Sequence, residues 1–175
     1  STLGKKDFYS MKPVRDTMDE LDEDAFVGDF MGGIAGYGTA GTRIKNCSTK
    51  GGVLQGHYFV GGIAGYLEYE SGKENTIFDG NKSENNADII AYQYAGGILG
   101  VNASLDSKQK PIEDYEEKRI VQNWKNKGIV ISSNGYAGGI TGFNTGKLID
   151  CTSMKELTGI EWKDYASSIT QWFSF

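Results

Sequence analysis

The chain has 175 residues and a formal net charge of −5, which suits one domain with a real core but hardly two ordinary ones. Glycine contributes 25 residues and proline only 2; glycine at about twice its usual ~7%, without an every-third-residue period, excludes collagen, and 38% hydrophobic content argues against a disordered tail. The acidic balance and the lack of a basic stripe speak against nucleic acid, and a single histidine, His57, excludes the common zinc-hydrolase pattern of two histidines one helical turn apart plus a carboxylate.

Residues 1–29 form an N-terminal segment that starts without the apolar stretch of a signal peptide, leaving a cytosolic chain or an excised mature piece. Within it, Val14, Met18, Leu21 and Ala25 recur at helical spacing. They predict a short amphipathic helix over residues 13–25 that caps the domain. Its acids Asp19, Glu20, Asp22, Glu23 and Asp24 read as a solvated face rather than a cation site. No apolar run reaches the roughly 18 residues needed to span a bilayer, so no membrane insertion is expected.

Residues 30–158 carry four copies of G-G-I-x-G. The copies are Gly32, Gly33, Ile34 and Gly36; Gly61, Gly62, Ile63 and Gly65; Gly96, Gly97, Ile98 and Gly100; and Gly138, Gly139, Ile140 and Gly142. An aromatic residue stands two places before each: Phe30, Phe59, Tyr94 and Tyr136. A second half-motif follows, aligned as Ile44-Lys45-Asn46-Cys47, Ile77-Phe78-Asp79-Gly80, Val121-Gln122-Asn123-Trp124 and Leu148-Ile149-Asp150-Cys151. The interval between the two motifs varies, so insertions collect in one connection, the signature of loops on one face of a stacked repeat. In the longest insertion, Pro111 followed by Glu113 and Asp114 predicts a helix over residues 111–120. Residues 159–175 end in Trp172-Phe173-Ser174-Phe175 and read as the start of a truncated further coil.

Short β-branched and aromatic segments punctuated by glycine favour strands. One such unit buries too little apolar surface to stand alone, whereas stacking aligns Ile34, Ile63, Ile98 and Ile140 in an interior ladder. The expected fold is all-β: a right-handed parallel β-helix or β-solenoid of about four irregular coils with short capping or inserted helices. A β-sandwich of hairpins is the alternative. Cys47 and Cys151 occupy equivalent places in the first and fourth copies, so a spacing of ~4.8 Å per coil puts them roughly 14 Å apart. That exceeds the ~7 Å reach of a disulfide, and both are expected to be free and buried.

The block G-G-[IV]-x-G after an aromatic or small residue, followed by I-x-N-C and a strand, resembles the GLUG repeat over about residues 30–151. GLUG repeats occur in bacterial surface proteins, both adhesin-like proteins and the zinc metallopeptidases that cleave immunoglobulin A, where they lie outside the catalytic domain. The resemblance implies an exported, surface-attached bacterial protein. It carries over no catalytic residue, and neither the peptidase's H-E-x-x-H nor a wall-sorting L-P-x-T-G occurs here.

Other motifs are weaker. Residues 36–41 match the dinucleotide fingerprint G-x-G-x-x-G, but the following residues 42–47 are strand-like where that site needs a helix. Asn46, Asn81 and Asn102 stand in glycosylation sequons. Asp79, Glu84 and Asp88, or Glu68, Glu70 and Glu74, are the carboxylates that a β-helical polysaccharide lyase or hydrolase would use. Among Lys and Asn they read as loop charges. Tyr69 and Tyr115 lie on the two long insertions and are candidate recognition residues. The expectation is a non-catalytic spacer and interaction platform that needs no cofactor or metal. Its partner would be a host glycoprotein, a glycan or a neighbouring domain.

Overall fold

The computed structural model describes residues 28–69 and 75–153. The expected helix at residues 13–25 and the segment 159–175 lie outside them. Among the described residues every regular element is a strand. The first repeat supplies β1 (Phe30–Gly32), β2 (Ala35–Gly38), β3 (Arg43–Lys45) and β4 (Val53–Gly56). The second supplies β5 (Phe59–Gly61), β6 (Ala64–Leu67), β7 (Ile77–Asn85) and β8 (Asp88–Ala91). The third gives β9 (Tyr94–Gly96), β10 (Leu99–Asn102), β11 (Ile120–Asn126) and β12 (Val130–Ser132). The fourth gives β13 (Tyr136–Gly138), β14 (Thr141–Asn144) and β15 (Lys147–Ile149), followed by β16 (Thr152–Ser153).

These strands assemble into four parallel sheets, visited by the chain in a constant cyclic order. Sheet A runs β1-β5-β9-β13, sheet B β2-β6-β10-β14, sheet C β3-β7-β11-β15 with β16 also on β11, and sheet D β4-β8-β12. Like positions of the sequence repeat meet: Phe30 pairs with Phe59, Phe59 with Tyr94, and Tyr94 with Tyr136. In sheet B, Tyr37 pairs with Tyr66, Tyr66 with Val101, and Val101 with Phe143.

The buried apolar residues follow from this register. Ile63, Phe78, Ile98, Leu99, Val121 and Trp124 join sheets B and C. Val60, Ala87, Ile89, Ala91 and Ala95 join A and D, while Phe59, Tyr66, Val101 and Ala103 join A and B. The isoleucine ladder is present as a backbone column: the amides of Ile34, Ile63 and Ile98 each donate to the carbonyl of the next repeat's isoleucine at 2.9 Å. Its side chains are buried at Ile63 and Ile98 and partly buried at Ile140. Ile34, the first of the column, is 49% exposed because no described repeat lies beyond it.

Between the clusters the repeats are pinched. The second glycine of each pair approaches a polar side chain at or just beyond the C-terminal end of sheet C: Gly33 faces Thr49, Gly62 faces Asn85, Gly97 faces Asn126 and Gly139 faces Ser153. Those side chains form their own column. The Asn85 amide donates to Asn126 Oδ1 at 2.9 Å, the Asn126 amide to Ser153 Oγ at 3.2 Å, and Thr49 hydrogen-bonds Asn85. Each buried asparagine also closes a turn on its own chain. Asn85 binds the carbonyl and amide of Ala87 at 2.7 and 3.0 Å, and Asn126 those of Gly128 at 3.0 Å each. Burying an amide costs free energy unless its bonds are remade, and here they are remade between repeats. The pattern Asn-x-small, in Asn85-Asn86-Ala87 and Asn126-Lys127-Gly128, is its trace in the sequence.

Several expectations need correction. The segment 111–120 is not a helix: Leu105 and Pro111 form an antiparallel bridge, and the Ile112 amide donates to Ser104 O at 2.9 Å. Asp106 closes the intervening turn by accepting from the amides of Lys108 and Lys110 at 2.8 and 2.9 Å, so local side-chain bonds outcompete helical ones. In the second half-motif Phe78, not Ile77, is the counterpart of Ile44. The irregularity lies after Asp79, which pairs with Gln122 while Ser83 pairs with Trp124, so β7 carries two extra residues there. The half-motif's Asn has a backbone role. Asn46 (φ 55°), Asn123 (φ 58°) and Asp150 (φ 50°) make a left-handed bend, a conformation that Asn and Asp tolerate best among non-glycine residues.

Cys47 and Cys151 are free thiols, but each is half-buried rather than buried. They follow that bend and pack against the cluster joining sheets B and C. The Cys151 thiol donates to Val121 O at 3.3 Å, and burial pushes its pKa up, which keeps it protonated at neutral pH.

Candidate interaction surface

The connections from sheet B to sheet C gather on one edge; their described residues are 39–42, 68–69 with 75–76, 103–119 and 145–146. The unequal insertions expected from the repeat therefore gather where one surface can use them. The strands of sheets A and B keep constant lengths of three and four residues, and apart from the irregularity inside β7 it is this connection that takes up the length variation.

Arg119 anchors the longest insertion. It is buried, although arginine is rarely so without partners. Its Nη1 donates to Asp114 O and Thr145 Oγ1 at 3.0 Å each, and its Nη2 binds Ser104. Its carbonyl accepts from Lys147 N at 2.8 Å and from Asn102 Nδ2 at 3.2 Å. One side chain thus ties both ends of the insertion to the turn of the fourth repeat. Asn102 continues the arrangement by donating to Asn144 Oδ1 at 2.8 Å, a second asparagine column outside the pinch.

Tyr69 and Tyr115 both lie on this edge. Tyr69 is half-buried and lines a cleft with Glu68, Thr76, Phe78, Lys118 and Arg119, whereas Tyr115 is 67% exposed. Glu68 accepts from the Tyr37 hydroxyl; burial and that carboxylate together push the Tyr37 pKa well up, so the phenol stays a donor. Around the corner, rings stack through the repeats, with centroids 5.1 Å apart for Phe30–Phe59 and 5.4 Å for Phe59–Tyr94 and Tyr94–Tyr136. Such pairs add roughly 0.5–1.5 kcal/mol each beyond the area they bury.

The candidate catalytic carboxylates are spent on contacts between repeats. Asp79 accepts from Asn123 Nδ2 at 3.0 Å and from Asn81 N at 2.9 Å; Glu84 pairs with Lys127 Nζ at 2.9 Å; Asp88 accepts from Ile129 N at 2.8 Å. Glu70 and Glu74 lie outside the described residues. The Asn123 amide, then the Asn81 amide, hold the Asp79 carboxyl below its ordinary range, and Lys127 does the same for Glu84. A glycosidase acid needs the opposite shift. An NMR titration should find Asp79 ionising below the usual ~3.9 and moving back up in Asn123→Ala. Because its folded pKa is depressed, the stabilisation from Asp79 is present above that usual value and is lost as pH falls through the folded one.

Gly36 and Gly38 lie in β2 and the chain runs through a turn into β3, so the glycine fingerprint opens no helix. Among the sequon residues, Asn46 and Asn81 are exposed and Asn102 is buried. His57 stacks on Tyr92 at 5.4 Å and places Nδ1 3.4 Å from Asp29 Oδ1. Among the described residues no group of three or more His, Cys, Asp or Glu could hold a metal ion, and no helix is long and apolar enough to cross a membrane.

Together these features define an all-β repeat protein of parallel sheets, with its variable connections gathered on one edge. Comparison with protein-family models, curated proteins and solved structures gives no significant match. The reading of its role therefore rests on the geometry above.

Proposed function

We propose that the four sheets close into a right-handed β-solenoid of GLUG-type repeats, and that this solenoid is a non-catalytic module of an exported bacterial surface protein. It acts as a spacer and as an interaction platform for a host glycoprotein, a glycan or a neighbouring domain. One observation supports this most: the repeated register releases nearly all of its length variation at the B-to-C edge, where buried Arg119 holds the longest insertion in place. Loops ordered on a stiff scaffold are the usual site of recognition. An adhesin and an immunoglobulin-cleaving peptidase could both use such a module beside other domains. A carbohydrate-active enzyme is the competing reading; Asp79 and Glu84 are engaged by Asn123 and Lys127 of the next repeat, and neither has the raised pKa that a general acid needs.

The test is an array of host glycans and glycoproteins, immunoglobulin A included, probed with the protein and with a variant lacking residues 105–111. Binding that disappears in the variant supports the platform. Binding unchanged by the deletion, or cleavage of an acidic polysaccharide by the parent and not by Asp79→Ala, defeats it. A separate expectation concerns the anchor. Hydrogen bonds to a charged group contribute about 1.5–3 kcal/mol, so Arg119→Ala should open the insertion at least about tenfold more often. Limited proteolysis should then cut within 103–119 while the unfolding midpoint of the core shifts little.

A further inference from the structure

Among the described residues the contact between repeats is made three times, in nearly the same register each time. At one end of the described stack lie β1, β2 and β3; at the other lie β13, β14 and β15. Each end exposes what the middle repeats bury. Ile34 is 49% exposed where Ile63 and Ile98 are sealed; Tyr136 is 57% exposed where Phe59 is sealed; Leu148 is 42% exposed where Val121 is sealed. Terminal strands of a sheet are ready templates for another chain.

We infer that these two ends dock on each other between copies of this chain, head to tail. Carrying the observed register one step further sets Tyr136 against Phe30, Gly138 against Gly32, Thr141 against Ala35, Phe143 against Tyr37 and Leu148 against Ile44. The ring stack continues from Tyr136 to Phe30, and the polar column continues from Ser153 to Thr49. The occupant is a second copy because the surface needed to cover one end is the surface presented by the other. This interface is continuous with the one between repeats and does not depend on what the insertions bind. The contact is heterologous and does not close on itself, so it extends beyond a dimer.

One pair opposes it. The same register sets Lys147 against Arg43, and each copy carries a net charge of −5. Glu117, 3.3 Å from Lys147, offsets part of the first term. Both repulsions are screened by salt, so association should strengthen as ionic strength rises.

Sedimentation velocity over a concentration series provides the test, with Ile34→Lys blocking one end and Leu148→Lys the other. Both residues are exposed, so the unfolding midpoint should hardly move in either variant. The parent chain should gain mass with concentration and salt and pass beyond the dimer. Each variant alone should stay at the monomer mass of 19.1 kDa. An equimolar mixture should form a dimer and stop there, since it retains one free first end and one free last end that match. A parent chain monomeric at every concentration and salt overturns the inference. So does either variant self-associating alone, which would mean that like ends meet.

Discussion

Gly97→Ala should leave the protein at or below the margin of folding, with the urea midpoint lowered by the equivalent of about 3 kcal/mol or more. A Cβ built at Gly97 overlaps Gly139 O and the amide of Asn126. Neither can yield: one is backbone of the next repeat, and the other is held by hydrogen bonds on both sides. Relief would require moving the third and fourth repeats apart, against a total stability of only about 5–15 kcal/mol. Gly52→Ala is the matched control. Its φ of 97° strains any side chain, but no atom lies within 4 Å of the new Cβ. Backbone strain alone costs about 1–2 kcal/mol there. Equal losses in the two variants would mean that the pinch contributes nothing beyond ordinary glycine geometry.

Asn126→Ala should cost about 3 kcal/mol, because it removes the side-chain bonds to the Gly128 amide and carbonyl and takes away one of the two partners of Asn85 Nδ2 at a buried site. Asn144→Ala removes a similar set of bonds, to Gly146 and from Asn102, at an exposed position. Water replaces them, and the expected loss is under about 1 kcal/mol. The ratio of the two losses measures burial rather than bond count. Asn126→Asp adds a pH dependence. Burial, and the nearby Gly128 carbonyl, would raise the carboxyl's folded pKa above its unfolded value of ~3.9. A raised folded pKa contributes stability that is present below the unfolded pKa and is lost as pH rises through the folded one. Chemical unfolding of Asn126→Asp at pH ~4 and ~7 should therefore show the larger deficit at neutral pH, whereas Asn126→Ala should lose the same amount at both.

The repeat was readable because parallel pairing brings like residues together. The aromatic at Phe30, Phe59, Tyr94 and Tyr136 and the glycine after it align in the chain as they align in the sheet. Where a strand gains residues, that reading slips: the two extra residues after Asp79 shifted the apparent counterpart of Ile44 to Ile77, although Phe78 is the one inside. The insertion at 111–120 has helix-start residues, yet its course is set by Asp106 and by Arg119, which reach across the loop. Tyr69 and Tyr115 stand in the insertions that the repeat spacing marks, whereas the spacing does not mark the anchor Arg119. Nothing about an arginine in a charged segment marks it as buried.

Sequence alone determined the number of repeats, their strand character and the connection that carries the insertions. Each depends on residues close together in the chain and on identities that recur. The tertiary structure alone decided which polar groups enter the interior. Asn85 and Asn126 are buried because glycines some 20–30 residues away leave room for their amides and because each finds its bonding partner one repeat further on. That match between distant positions leaves only the short Asn-x-small trace in the chain, which by itself does not mark the amides as buried.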